Sequence, residues 1–173
     1  VKENKLRFST KIIAEIAIFV SLATVLSYFK ISLQYGGSVT AGSMVPILWL
    51  ALRRGPKIGL FAATLYGMVQ LLTGPYIVHP AQVLLDYPIA FGVLGVAGFF
   101  QKRPYIGVTL GITGRFIAHF ISGIIFWADY TPEGMTPILY SAAYNGVYMV
   151  AELVISIYVI YLLQTSKVLN KYL

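Results

Sequence analysis

Six apolar runs, each closed off by chain breakers or charge, constrain this chain to a membrane fold. They read as residues 10–29, 40–53, 57–74, 81–100, 105–127 and 138–163, the second being the shortest. About 20 residues rising about 1.5 Å each are needed to cross a hydrocarbon layer of about 30 Å. Backbone in that layer must satisfy its own N–H and C=O groups, so such runs are expected to be helices. Between them lie Tyr35-Gly36-Gly37-Ser38, Arg53-Arg54-Gly55-Pro56-Lys57, Gly74-Pro75, Gln101-Lys102-Arg103-Pro104 and Asp129-Tyr130-Thr131-Pro132-Glu133-Gly134, which read as loops. With 58% hydrophobic and 11% charged residues, too little polar side chain remains to cover a water-soluble fold. The expectation is an all-α integral membrane protein of six transmembrane helices, one domain over residues 1–173.

Charge orients it. Threading the six runs places Lys2, Lys5, Arg7, Lys11, Arg53, Arg54, Lys57, Lys102, Arg103, Lys167 and Lys171 on one side and only Lys30 on the other. By the positive-inside rule both termini are expected in the cytoplasm, the chain being multi-pass in the cell membrane. The net charge of +7 thus has a topological meaning, and nucleic acid is not expected as a partner. The first run is long and contains Glu15, with no small-residue cleavage site before Tyr28; it reads as a retained span rather than a signal peptide. No internal repeat suggests paired halves.

One helix carries a polar stripe. Arg115, His119, Gly123 and Trp127 recur every fourth residue, with Ser122 alongside, and so share a face. An Arg and a His at membrane depth require a protein interior or a wet cavity. Helical rise sets His119 about 12 Å below Trp127, Asn145 about 10 Å below the start of its helix, and Asp86 about 8 Å below the start of its own. Arg115 and Glu152 lie deeper and suggest a buried pair, with Arg115–Asp86 as the rival pairing.

The outer layer therefore combines a carboxylate, Asp86, with Tyr87, His119, Trp127, Tyr140 and Asn145. A carboxylate compensates a ligand cation, aromatic faces stack on a heteroaromatic ring, and Asn or His adds directional hydrogen bonds. A small, flat, nitrogen-rich cation fits that set. Structural alternatives stand beside it: His119 bonding a backbone carbonyl, Trp127 and Tyr140 as interfacial belt aromatics, Gly123 as a packing site. His79 reads as a solvated loop residue.

Catalysis finds no parts. There is no HExxH, no Gly-x-Ser-x-Gly and no paired Asp motif, and the absence of cysteine removes thiolate chemistry and cysteine-held metal. No enzyme activity, cofactor or metal is expected. With no P-loop, uphill transport would draw on partners or an ion gradient.

The residues resemble the thiamine-specific S components of energy-coupling-factor transporters. The resemblance rests on Pro46-Ile-Leu-Trp-Leu-Ala-Leu-Arg53-Arg54-Gly55, on Leu72-Thr-Gly74 with Tyr76, on Leu85-Asp86-Tyr87 followed by Gly92 to Gly98, on His119-Phe-Ile-Ser-Gly123-Ile-Ile-Phe-Trp127 and on Tyr140-Ser-Ala-Ala-Tyr-Asn145-Gly146. It implies a six-helix subunit that captures thiamine from outside and depends on a transmembrane coupling subunit and two cytoplasmic ATPases for uptake. Asp86 then matches the pocket acid, usually Glu, and Tyr87, His119, Gly123, Trp127, Tyr140, Asn145 and Tyr76 match pocket residues. Arg115 stands where a Lys is known, and Tyr66 and Gly37 each stand where a Trp can occur, which thins the aromatic walls. Loops around Lys30 to Ala41 and Gly74 to Pro80 would cap the ligand.

Thiamine's permanent thiazolium cation favours it over the neutral hydroxymethylpyrimidine precursor, the alternative ligand. A self-sufficient cation-coupled carrier is the alternative of another class. Ala17 and Ser21 form a small-xxx-small pair and, with Ala14, match an alanine pattern that meets the coupling subunit in the family; packing inside the bundle is the other reading.

Overall fold

The computed structural model describes residues 9–33 and 37–166. Lys2, Lys5, Arg7, Tyr35, Gly36, Lys167 and Lys171 lie outside the described residues. Six helices form where the apolar runs predict: α1 Thr10–Tyr28, α2 Val45–Arg54, α3 Pro56–Leu72, α4 Pro80–Phe100, α5 Pro104–Phe126 and α6 Pro137–Thr165. Proline starts most of them. Pro46, Pro56, Pro80, Pro104 and Pro137 each sit in a first turn, where the missing N–H is no loss and the fixed φ suits a helix. Gly55, at φ 84°, closes α2 and opens α3 in a single residue, a left-handed backbone that other residues resist.

The chain is not wholly α. Between the first two runs, where a loop is expected, β1 Lys30–Ser32 and β2 Ser38–Thr40 pair antiparallel, with Ile31 opposite Val39. The second run is also shorter than expected. It becomes helical only at Val45, and its ten residues cover about 15 Å, half a crossing. The cause is non-local: Glu152, near the midpoint of α6, accepts from both the N–H and the hydroxyl of Thr40 at 2.6 Å. β2 is thereby held alongside the middle of α6, and Gly42, at φ 78°, turns the chain into α2. Irregular backbone at this depth is tolerated because it is enclosed and its donors are used.

Four helices, α1, α4, α5 and α6, are long and apolar enough to cross a membrane; α3 is slightly shorter and α2 is enclosed. Val45 to Leu52 are all buried, so α2 is hydrophobic on every side because it has protein on every side. Large apolar side chains such as Ile18, Val25, Val150 and Val154 instead face outward.

α4 is built to approach α3 closely. Its segment Val93–Phe100 is a 3₁₀ helix, in which residues three apart eclipse one another. Gly92, Gly95 and Gly98 therefore form a straight stripe, and a Cβ at each would run into Thr64, the Leu60 backbone and the Gly55–Pro56 backbone respectively. At the basic end, the Arg54 guanidinium forks onto Glu15 of α1, and Gln101 donates to the carbonyl of Leu52 at 2.9 Å, capping α2.

Candidate ligand-binding site

A cavity of about 620 Å³ opens at the other end, among the hairpin, the Gly74–His79 loop and the α5–α6 connection. All ten binding residues singled out from the sequence border it: Tyr66, Tyr76, Asp86, Tyr87, Arg115, His119, Gly123, Trp127, Tyr140 and Asn145. Gly37 borders it too.

Asp86 occupies a π-helical turn, Leu85–Ile89, that contains Pro88. Such turns insert one residue into the helix and re-aim the side chains around it. One carboxylate oxygen lies 3.1 Å from His119 Nδ1 and the other accepts from Gln82 Nε2 at 2.7 Å. His119 Nε2 in turn faces Arg115 Nε at 3.4 Å. With Nδ1 donating to the carboxylate, Nε2 is the acceptor, so α5 presents an ordered chain from Arg115 through His119 to Asp86.

Arg115 pairs with neither carboxylate. Its Cζ lies 4.0 Å over the Phe91 ring and Nη1 is 2.8 Å from Met44 Sδ. The suggested Arg115–Glu152 pair is thus corrected: Glu152 Oε1 is committed to Thr40, and the rival Arg115–Asp86 contact is replaced by one through His119. Helical rise gives depth but not the rotation of each helix, and rotation decided the partners.

Two aromatic walls face the cavity. At the mouth, Trp127 meets Tyr76 edge-on at 6.4 Å and Tyr130 at 5.4 Å. Along α6, Tyr140, Tyr144 and Tyr148 meet at successive turns, the first pair tilted at 5.8 Å and the second edge-on at 6.2 Å. Tyr144 and Tyr148 were not singled out, although their spacing of four from Tyr140 is the signal that finds them. Tyr66 is buried deeper against Phe91 and directs its hydroxyl to the Ala23 carbonyl at 3.4 Å.

Asn145 and Gly123 hold α5 to α6. Asn145 donates across to the His119 carbonyl of α5 at 3.4 Å, as the Ser141 hydroxyl does to the Phe120 carbonyl at 2.9 Å, while within α6 Asn145 donates to the Ser141 carbonyl at 3.0 Å and accepts from the Tyr148 hydroxyl at 2.9 Å. A Cβ on Gly123 would collide with the Ser141 hydroxyl. His79, expected to be merely solvated, is exposed but caps α4, accepting from Ala81 N–H at 3.1 Å, and stacks on Phe126. Gln82 was also missed; it lies one turn before Asp86 and is fully buried.

The arrangement offers a largely buried carboxylate beside flat aromatic faces, with a guanidinium further in. That chemistry accommodates a cationic ring at the mouth and a hydrogen-bond acceptor below.

Residues 13–171 match the family described as thiamine transporter protein (Thia_YuaJ). The thiamine transporter ThiT of Bacillus subtilis is 34% identical over 169 aligned positions, covering 86% of this chain and 88% of that protein. ThiT of Lacticaseibacillus paracasei is 30% identical over 181 positions, covering 89% and 87%. A solved ThiT structure from Listeria monocytogenes superposes with a TM-score of 0.83 at 29% identity, over 92% of this chain and 96% of that one. Sequence family, relatives and fold agree: this chain belongs to the thiamine transporter family, whose members are membrane transport proteins.

Proposed function

We propose that the chain is the thiamine-capturing subunit of an energy-coupling-factor importer in the prokaryotic cell membrane, crossing six times with both termini in the cytoplasm. The observation that carries this reading is the Asp86 carboxylate set among Trp127, Tyr76 and Tyr87 on one cavity, a counter-charge and stacking faces for a thiazolium ring. All ten bordering residues named above form the ligand site. β2 and α2 together provide the second crossing, which α2 alone is too short to make. Capture comes from outside, because the cavity lies at the end opposite the basic cluster of Arg53, Arg54, Lys57, Lys102 and Arg103.

Uptake requires a coupling subunit and two ATPases. Ala14, Ala17 and Ser21 are exposed on α1, while Ile16, Val20 and Ala23 turn inward, so the small residues present an open face on which a partner helix can approach closely. That exposure favours partner contact over packing inside the bundle.

Tryptophan-fluorescence titration tests the binding claim. Asp86→Asn removes the largely buried counter-charge and is expected to weaken thiamine binding by about 100- to 1,000-fold, corresponding to roughly 3–4 kcal/mol, the lower part of the range lost when one partner of a buried ion pair is removed. Unchanged affinity overturns the proposal. Mass spectrometry of co-purifying small molecules separates thiamine from the pyrimidine precursor. Proteoliposomes holding this chain alone separate a dependent subunit, which binds without uptake, from a self-sufficient carrier.

A further inference from the structure

Gln82 sits in the first turn of α4, one turn before Asp86, with no exposed surface. Its carboxamide makes three hydrogen bonds. Nε2 donates to Asp86 Oδ2 at 2.7 Å and to the Tyr76 carbonyl at 3.1 Å, while Oε1 accepts from Val78 N–H at 3.1 Å. This uses both donors of the amide, and the orientation is fixed, since the flipped group would set its oxygen against a carboxylate and a carbonyl.

The loop that it holds has little other support. Tyr76, Ile77 and Val78 are 76%, 64% and 47% exposed, so hardly any buried apolar surface keeps the segment in place. A second tether comes from the Tyr87 hydroxyl, which accepts from Tyr76 N–H at 2.9 Å. Both tethers belong to residues within about one turn of Asp86. The Tyr76 ring they position meets Trp127 at the cavity mouth.

We propose that Gln82 is a positioning residue for ligand capture, coupling the placement of the Asp86 carboxylate to closure of the Gly74–His79 loop. An organic cation drawn to Asp86 is then retained by the loop that carries Tyr76. The proposal rests on Asp86 being the ligand's counter-charge. Glutamine is the side chain the geometry requires. Glutamate would bring like charge against Asp86 and lose both donors; an apolar residue of equal length would leave the Tyr76 carbonyl and the Val78 N–H without partners.

The test compares the full chain with Gln82→Met and Gln82→Glu by hydrogen exchange of the 74–79 segment and by stopped-flow tryptophan fluorescence with thiamine. Both variants are expected to exchange that segment about 10- to 100-fold faster without ligand. Thiamine should dissociate about 10- to 100-fold faster, with association within about threefold of the parent and one thiamine per chain. A merely structural role would lower the number of active sites or the thermal midpoint and leave dissociation from the remaining sites unchanged. That result, or unchanged exchange of the loop, overturns the proposal. Gln82→Asn, whose amide is one methylene too short to reach all three partners, is read the same way if Gln82→Met does not accumulate. If the parent chain fails to bind thiamine, the thiamine reading fails, and the exchange experiment, which needs no ligand, still decides whether Gln82 holds the loop.

Discussion

His119 Nδ1 and Asp86 Oδ1 lie 3.1 Å apart, joining α5 to α4 on the cavity wall. A carboxylate held by an imidazole is oriented before the ligand arrives, so the two residues should act as a unit on thiamine affinity. A double-mutant cycle of Asp86→Asn and His119→Gln is expected to show a coupling of about 1–2 kcal/mol, the double variant being little worse than the more damaging single one. Fluorescence titration of the four proteins reads this directly, and additive losses would count against a shared role.

Gly123→Ala drives a methyl group into the Ser141 hydroxyl at the α5–α6 contact. Overpacking of this kind destabilises by about 1–3 kcal/mol. The expected outcome is a lower thermal midpoint in detergent together with weaker thiamine binding, because Ser141 and Asn145 share a hydrogen bond and border the cavity. Ser141→Gly in the same chain should restore part of both.

Gly95 and Gly146 make a paired prediction about helix packing. A Cβ on Gly95 meets the Leu60 backbone, which has nowhere to move, whereas one on Gly146 finds only the Phe116 ring edge at 3.9 Å. Gly95→Ala should therefore fail to accumulate or lose several degrees of thermal midpoint. Gly146→Ala should be neutral or stabilise by up to about 1 kcal/mol through the helix preference of alanine.

Ala17 tests the partner face. Ala17→Phe places a bulky ring on an exposed surface of α1, away from the cavity. Thiamine binding by the isolated chain is expected to stay within about twofold, since no cavity residue moves, while, on the proposed importer assembly, ATP-driven uptake should fall at least about tenfold. Normal uptake would overturn α1 as the face that meets the proposed coupling subunit.

Much of this architecture was legible in the sequence because the membrane imposes two simple rules, a minimum apolar length and a helical rise per residue. The positions of α1, α3, α4, α5 and α6 follow from them, and so does the gathering of Asp86, His119, Trp127 and Asn145 around one space. Long-range capture was not legible. Thr40 reads as the start of an apolar run, and nothing local shows that Glu152, far along the chain, takes its N–H and delays α2 to Val45. The 3₁₀ character of α4 left a trace in the glycine spacing of three, but three-residue spacing alone does not distinguish close packing from chance. Gln82 was not singled out, although it lies four residues before Asp86 on the same helix face; that its amide also ties down the backbone of Tyr76 and Val78 depends on how the loop folds back, which no local pattern shows.

The glycine stripe on α4 has a mechanical consequence for the site. Where Gly95 and Gly98 press on the backbone of α3, no layer of side chains separates the two helices, so their backbones bear directly on one another. α3 and α4 behave as one beam. The Gly74–His79 loop joins the two halves of that beam, so both of its anchorages keep a constant separation. Whatever opens or shuts over Asp86 on this side is then accomplished by the bond rotations of the seven residues between Leu72 and Pro80, without borrowing the tilt of a helix.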